Sequence, residues 1–339
     1  MALASRIVSE FGPHEVLLIF CSVLFSLIAV CASARVTQWP NVVVNMVIAA
    51  AIITGMSWWS VTVGTTGERG RWPRRLRLLY LFPVIPIYFT SAGYISYPLH
   101  GHDFDSMFIA ADRLVFGVNP TVWLFEHFPT WPWLTEYLMI CYLLFYFLPL
   151  GLAIELYQTA RKHDADHTIP FTFGIIRSGD KPEPLEQVVF IIVYGFLLSY
   201  LGYMLFPSIG PRLTLHNFLN LSNELPGLYL TEPLRRLLDR GEGIMPGMTM
   251  PDILKHVNRD AFPSGHTDIT LLTIILAFQF RSRLRWPITV IGTSLIFSTI
   301  YLRFHYVVDL VGGAMIAMIA LYTWPWVRER MLQIRGRFS

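Results

Sequence analysis

The chain has 339 residues, of which 54% are hydrophobic and only 14% charged. Soluble domains carry roughly 25% charged residues, so the composition excludes an ordinary water-soluble fold and points to an all-α integral membrane protein. The formal net charge of +3 carries little information, no nucleic-acid partner is expected, and the three cysteines do not suggest a disulfide framework.

A helix needs about 20 mostly apolar residues to cross the hydrocarbon core. In chain order eight stretches qualify: 15–34, 41–63, 77–96, 133–155, 187–206, 264–280, 286–303 and 305–327. The sixth and seventh are at the short end. Ala32-Ser33-Ala34 resembles a signal-peptide cleavage site. The long apolar run before it, with Glu10 and Glu15 offsetting one arginine, favours a retained span. The first two spans, within 1–70, are read as accessory helices and 71–339 as the core.

Orientation follows from the basic residues of the short loops. Arg69, Arg71, Arg74, Arg75 and Arg77 lie between spans two and three, and Arg161, Lys162, Arg177 and Lys181 between spans four and five. Arg281, Arg283 and Arg285 lie between spans six and seven, and Arg328, Arg330, Arg335 and Arg337 follow the last. Eight spans put all four groups on one side, expected to be cytoplasmic. The loop after span three instead carries Asp103, Asp105, Asp112 and Glu126 against Arg113. Within it, 105–128 reads as two short amphipathic helices at the outer interface, broken at Gly117 and Asn119-Pro120. The proline-rich stretch 207–263 is an outer loop with a short helix at Leu234–Leu238, serving as a lid or as a connector.

The same topology brings chemistry to one membrane face. Span five ends at Arg212, span six begins with Ser264-Gly265-His266, and spans seven and eight meet at Arg303, His305 and Asp309. His305 and Asp309 are four residues apart and share a helix face. A carboxylate beside one imidazole nitrogen fixes the tautomer and frees the other nitrogen to attack. The amino end of span six offers unpaired N–H groups to phosphate oxygens, and arginines grip phosphate with planar forks. The alternatives are a two-histidine, one-carboxylate metal site and a transporter or lipid-binding protein without chemistry. The arginines disfavour the metal, so no metal or cofactor is expected, and the scarcity of mid-span polar residues disfavours transport.

These motifs resemble the type-2 phosphatidic-acid phosphatase superfamily, whose pattern is K-x6-R-P, then P-S-G-H, then S-R-x5-H-x3-D. The second motif is intact as Pro263-Ser264-Gly265-His266. The third reads Ser298-Thr299, then His305 and Asp309, with Thr299 replacing the arginine and Arg303 lying two residues before the histidine. The first is altered: Gly210-Pro211-Arg212 replaces R-P, and Leu205 stands in the lysine position. This variant is similar to a branch that includes inositol phosphorylceramide synthases and bacterial membrane proteins. The resemblance implies a six-helix core and His305 as a nucleophile forming phospho-histidine, oriented by Asp309. It further implies His266 as the acid, with Arg212, Arg303, Ser264 and the Gly265 backbone holding phosphate. The expected partners are a lipid phosphate or phospholipid and the bilayer, in the cytoplasmic membrane of a bacterium with the site on the extracytoplasmic side. Hydrolysis, or transfer of phosphate to an alcohol, is the implied reaction, and phosphodiester head-group transfer is the alternative.

Overall fold

The computed structural model describes residues 8–62, 77–162 and 182–338. Every described regular element is helical. Arg69, Arg71, Arg74, Arg75, Arg177 and Lys181, and the boundary expected near residue 70, lie outside the described residues.

The first helices are α1 (Pro13–Cys31), α2 (Trp39–Thr62) and α3 (Leu81–His100). Next come α4 (Asp105–Phe116) and α5 (Pro120–His127), then α6 (Pro132–Leu143) and α7 (Phe147–Lys162), which a single 3-10 turn joins. After α8 (Pro184–Leu205) the long loop contains α9 (Thr231–Gly241) and α10 (Met250–His256). The chain closes with α11 (Gly265–Gln279), α12 (Arg285–Tyr301) and α13 (Val307–Phe338). Proline occupies the first turn of α1, α5, α6 and α8, where its missing N–H costs nothing. Gly101 and Gly117 end α3 and α4 in the left-handed conformation that glycine tolerates best.

Six described spans are long and apolar enough to cross a membrane: α1, α2, α3, the α6–α7 pair, α8 and α13. The two stretches that were short in sequence form α11, with 15 residues, and α12, with 17. Both pack among the longer helices. The α4–α5 pair is bent by 64° at its glycine break. The Leu234–Leu238 helix is found, lengthened at both ends as α9.

α8 is the hub. It packs against α1, α3, α7, α11 and α13, and its continuous Val188–Val193 run is buried all round, as expected of a helix surrounded by other helices. α1, expected to be an accessory helix, packs on α3, α8 and α13. Arg77 is no solvated loop charge. It lies buried against Glu15 of α1, with Nε donating to Oε1 at 2.8 Å and Nη2 to Ser57 at 2.7 Å.

Candidate active site

Three loops meet where α8 and α12 end and α11 and α13 begin. Backbone hydrogen bonds lace them: Arg212 N–H to the Arg303 carbonyl at 2.9 Å, Ala261 N–H to Ser208 at 3.1 Å, and Ser264 N–H to Asp309 at 2.9 Å. Gly210, with φ of 84°, lies so close to the Phe304 carbonyl that a Cβ there would collide with it. At Gly313 a Cβ would strike the Ser264 carbonyl, so the small residue lets α13 approach the start of α11.

Ser264 caps α11. Its Oγ accepts from the Thr267 N–H at 3.3 Å and from the Thr267 hydroxyl at 3.1 Å. That cap puts His266 in the first turn, its ring stacked on Tyr142 at 4.3 Å and tilted against Phe145 at 4.2 Å. Tyr142 stacks in turn on Phe304 at 4.4 Å, and the Arg212 guanidinium lies 4.7 Å over Phe304. The His266 and His305 rings stand 5.6 Å apart.

His305 Nδ1 lies 2.8 Å from the Ala261 carbonyl. A carbonyl only accepts, so Nδ1 carries the proton and Nε2 presents its lone pair. Asp309 Oδ2 is 3.4 Å from Nδ1, while its shorter bond, at 2.8 Å, is from the Tyr306 N–H. The carboxylate therefore sits beside the imidazole, while the Ala261 carbonyl holds the closer bond.

His266, His305 and Arg212 line one cavity of about 210 Å³, together with Asp260, Glu242 and the aromatic rings of Tyr142, Phe145, Tyr146, Phe196 and Tyr203. Ser264, Gly265 and Asp309 stand behind the lining, and Arg303 is not brought to it. Arg303, expected to grip phosphate, is turned toward other partners. The residue has φ of 68°, its guanidinium pairs with Glu224, and it lies 4.3 Å over Phe125. Arg212 pairs with Asp239 at 2.9 Å and with Glu242.

Those acidic partners come from the long loop between α8 and α11. Burial pushes the Glu242 carboxyl up to about 7 against the downward pull of Arg212, and burial raises Asp260 as well. Burial alone would lower the Arg212 guanidinium, but Glu242 and Asp239 outweigh it and the net shift is upward. Tyr142, Glu242 and Asp260 were not singled out from sequence. Only Asp260, just ahead of Ala261-Phe262-Pro263, carried a positional signal. Among the described residues, no group of three or more His, Cys, Asp or Glu is placed to hold a metal ion.

Residues 166–323, just under half of the chain, match the family described as PAP2 superfamily. A stretch of 72 residues is 36% identical to undecaprenyl-diphosphatase BcrC of Bacillus subtilis (strain 168); it covers 21% of this chain and 37% of that protein's length. No solved structure matches the chain. The family match and the BcrC similarity together support the type-2 phosphatidic-acid phosphatase superfamily.

Proposed function

We propose that the protein is a membrane lipid phosphatase or phosphotransferase acting through a phospho-histidine at His305. The observation that carries this reading is the meeting of His266, His305 and Arg212, from three separate segments, on the wall of one cavity. His305 Nε2 attacks phosphorus and the ester P–O bond breaks. The departing lipid oxygen takes the proton of His266. Water or a second alcohol then attacks the phosphorus and gives its proton to His266, and the P–N bond breaks, releasing phosphate or a new ester and restoring free His305. Arg212 neutralises the charge that develops on the phosphoryl oxygens. Asp309 and the Ala261 carbonyl hold His305 in the attacking tautomer, and Ser264 and the Gly265 backbone set the first turn that carries His266. Arg303 anchors the turn before Phe304.

The loop charges support an extracytoplasmic site in the cytoplasmic membrane of a bacterium. The similarity to a protein named as an undecaprenyl-diphosphatase supports including polyprenyl diphosphates among the substrates tried. Head-group transfer from a phosphodiester, as in inositol phosphorylceramide synthases, is a second reading with its own support. Arg212 already faces Asp239 and Glu242, and a diester brings one negative charge where a monoester brings two.

The test is incubation of detergent-solubilised protein with monoester, diphosphate and diester lipids, with and without alcohol acceptors, following free phosphate and new lipid by mass. Turnover and an acid-labile phosphoenzyme are expected from the native protein, and neither from folded His305→Ala. Turnover retained by His305→Ala would refute the mechanism, and no turnover on any lipid would favour a binding or transport role.

A further inference from the structure

One face of α4 touches all three segments of the candidate site. Asp105, Phe108 and Asp112 recur at helical spacing along that face, and all three are buried. Asp105 accepts from the Ser208 hydroxyl at 3.0 Å and from the N–H groups of Ile209 at 3.0 Å and Gly210 at 2.9 Å, just before Arg212. It also accepts from the Tyr306 hydroxyl at 2.8 Å, beside His305. Phe108 stacks on Phe262 at 4.4 Å with 19° between the rings, next to the Pro263-Ser264-Gly265-His266 motif. Asp112 accepts from the N–H groups of Val307 at 3.0 Å and Val308 at 2.9 Å. It thereby caps α13 between His305 and Asp309 and places a negative charge at the helix's positive end. The opposite face presents Met107 and Leu114 outward.

From this arrangement we infer that Asp105 and Asp112, with Phe108 between them, are positioning residues that hold the arginine loop, the first turn of α11 and the His305 loop in mutual register. Helices cannot supply that register directly, because the three segments belong to different spans and each enters the site through a loop. A carboxylate with several N–H donors aimed at it fixes a loop more tightly than a neutral acceptor can. The alignment of nucleophile, acid and guanidinium is what such a fixing protects, since a displacement of about 1 Å at a reacting group costs about 10²-fold. The inference rests on His305 being the nucleophile.

The test compares Asp112→Asn and Asp112→Ala in the full-length protein, with rates taken per folded, monodisperse molecule. Asn keeps one acceptor for the two N–H groups and Ala keeps none. The expected result is a fall in kcat of about tenfold for Asn and about 100-fold for Ala, with KM for the lipid phosphate changed less than about threefold. A kcat within twofold of the native value in both, or a lower Tm with kcat unchanged, would overturn the inference. If neither variant is monodisperse, Phe108→Leu takes their place, since it removes the stacking on Phe262 and keeps every hydrogen bond. A kcat loss of about threefold or more is then expected, and a smaller one overturns the inference. His305→Ala separates the two readings. If it is active, the nucleophile assignment fails; if it is inert while Asp112→Ala is unimpaired, only the positioning role fails.

Discussion

The backbone N–H of Arg212 donates to the carbonyl of Arg303 at 2.9 Å, yet only one of the two guanidinium groups reaches the cavity. The shared contact ties the loops together, and the side chains then part: Arg212 to Asp239 and Glu242, Arg303 to Glu224. Their substitutions should therefore differ in kind. Arg212→Lys removes a planar fork and is expected to lower kcat/KM by about 10²-fold, in the range of a lost transition-state donor. Arg303→Lys should lower Tm and leave KM within about twofold of native, because its partners lie outside the cavity. Steady-state kinetics and a thermal melt on both variants check the contrast, and equal kinetic losses would contradict it.

Under the proposed mechanism Glu242, paired with Arg212, would compete with phosphate for that guanidinium. Its carboxyl is pushed up to about 7 by burial, so it ionises as pH rises through that value and then holds the guanidinium. KM for a lipid phosphate should accordingly rise with pH between about 6 and 8, and Glu242→Gln should flatten that rise. At pH 8 the variant is expected to bind substrate about tenfold to 100-fold more tightly, the scale of one charge-assisted hydrogen bond. Stability follows the same sign. The folded state binds this proton more tightly than the unfolded chain, so the stability that it contributes is full below the ordinary carboxylate range and lost as pH approaches 7. Denaturation at several pH values, native against Glu242→Gln, reads this directly.

His266 stands across the cavity from His305, where the leaving oxygen would be protonated. Losing a general acid costs about 10²–10⁴-fold when the leaving group is a poor one. His266→Ala should show that loss on an alkyl phosphate and a much smaller one on an aryl phosphate, whose oxygen departs without a proton. Equal losses on both substrates would argue that His266 binds rather than protonates.

At Gly265 a Cβ would collide with the Tyr203 hydroxyl. Gly265→Ala is expected to lower kcat by about tenfold, and Tyr203→Phe, by removing that oxygen, should recover part of the loss in the double variant. Residues in contact are non-additive in this way. A double variant as impaired as the product of the two singles would exclude the collision as the cause.

Much of this site is legible in the sequence. Apolar runs interrupted by basic loops order the helices, and that order alone brings Arg212, His266 and His305 to one end of the bundle. Spacing does not reveal the direction of a side chain at a turn. Arg303 stands two residues before His305, but its left-handed backbone directs the guanidinium to Glu224. Asp105 and Asp112 read in the sequence as loop charges useful for topology. Their backbone partners are about a hundred and two hundred residues away, and no local pattern announces such bonds. The same holds for Asp268, one turn into α11, which accepts from Ser199 of α8 at 2.9 Å. Nothing in its neighbourhood in the sequence marks it as a bond between helices.

The column formed by His266, Tyr142, Phe304 and the Arg212 guanidinium has an optical consequence. Its two near-ultraviolet chromophores, Tyr142 and Phe304, are stacked with ring centroids 4.4 Å apart and couple their electronic transitions, and in a handed scaffold that coupling gives near-ultraviolet circular dichroism. A phosphate that draws Arg212 off the face of Phe304 would disturb one end of the column, and protonation of His266 the other. Occupancy and acid state would thus be written into the protein's own spectrum, with no label attached.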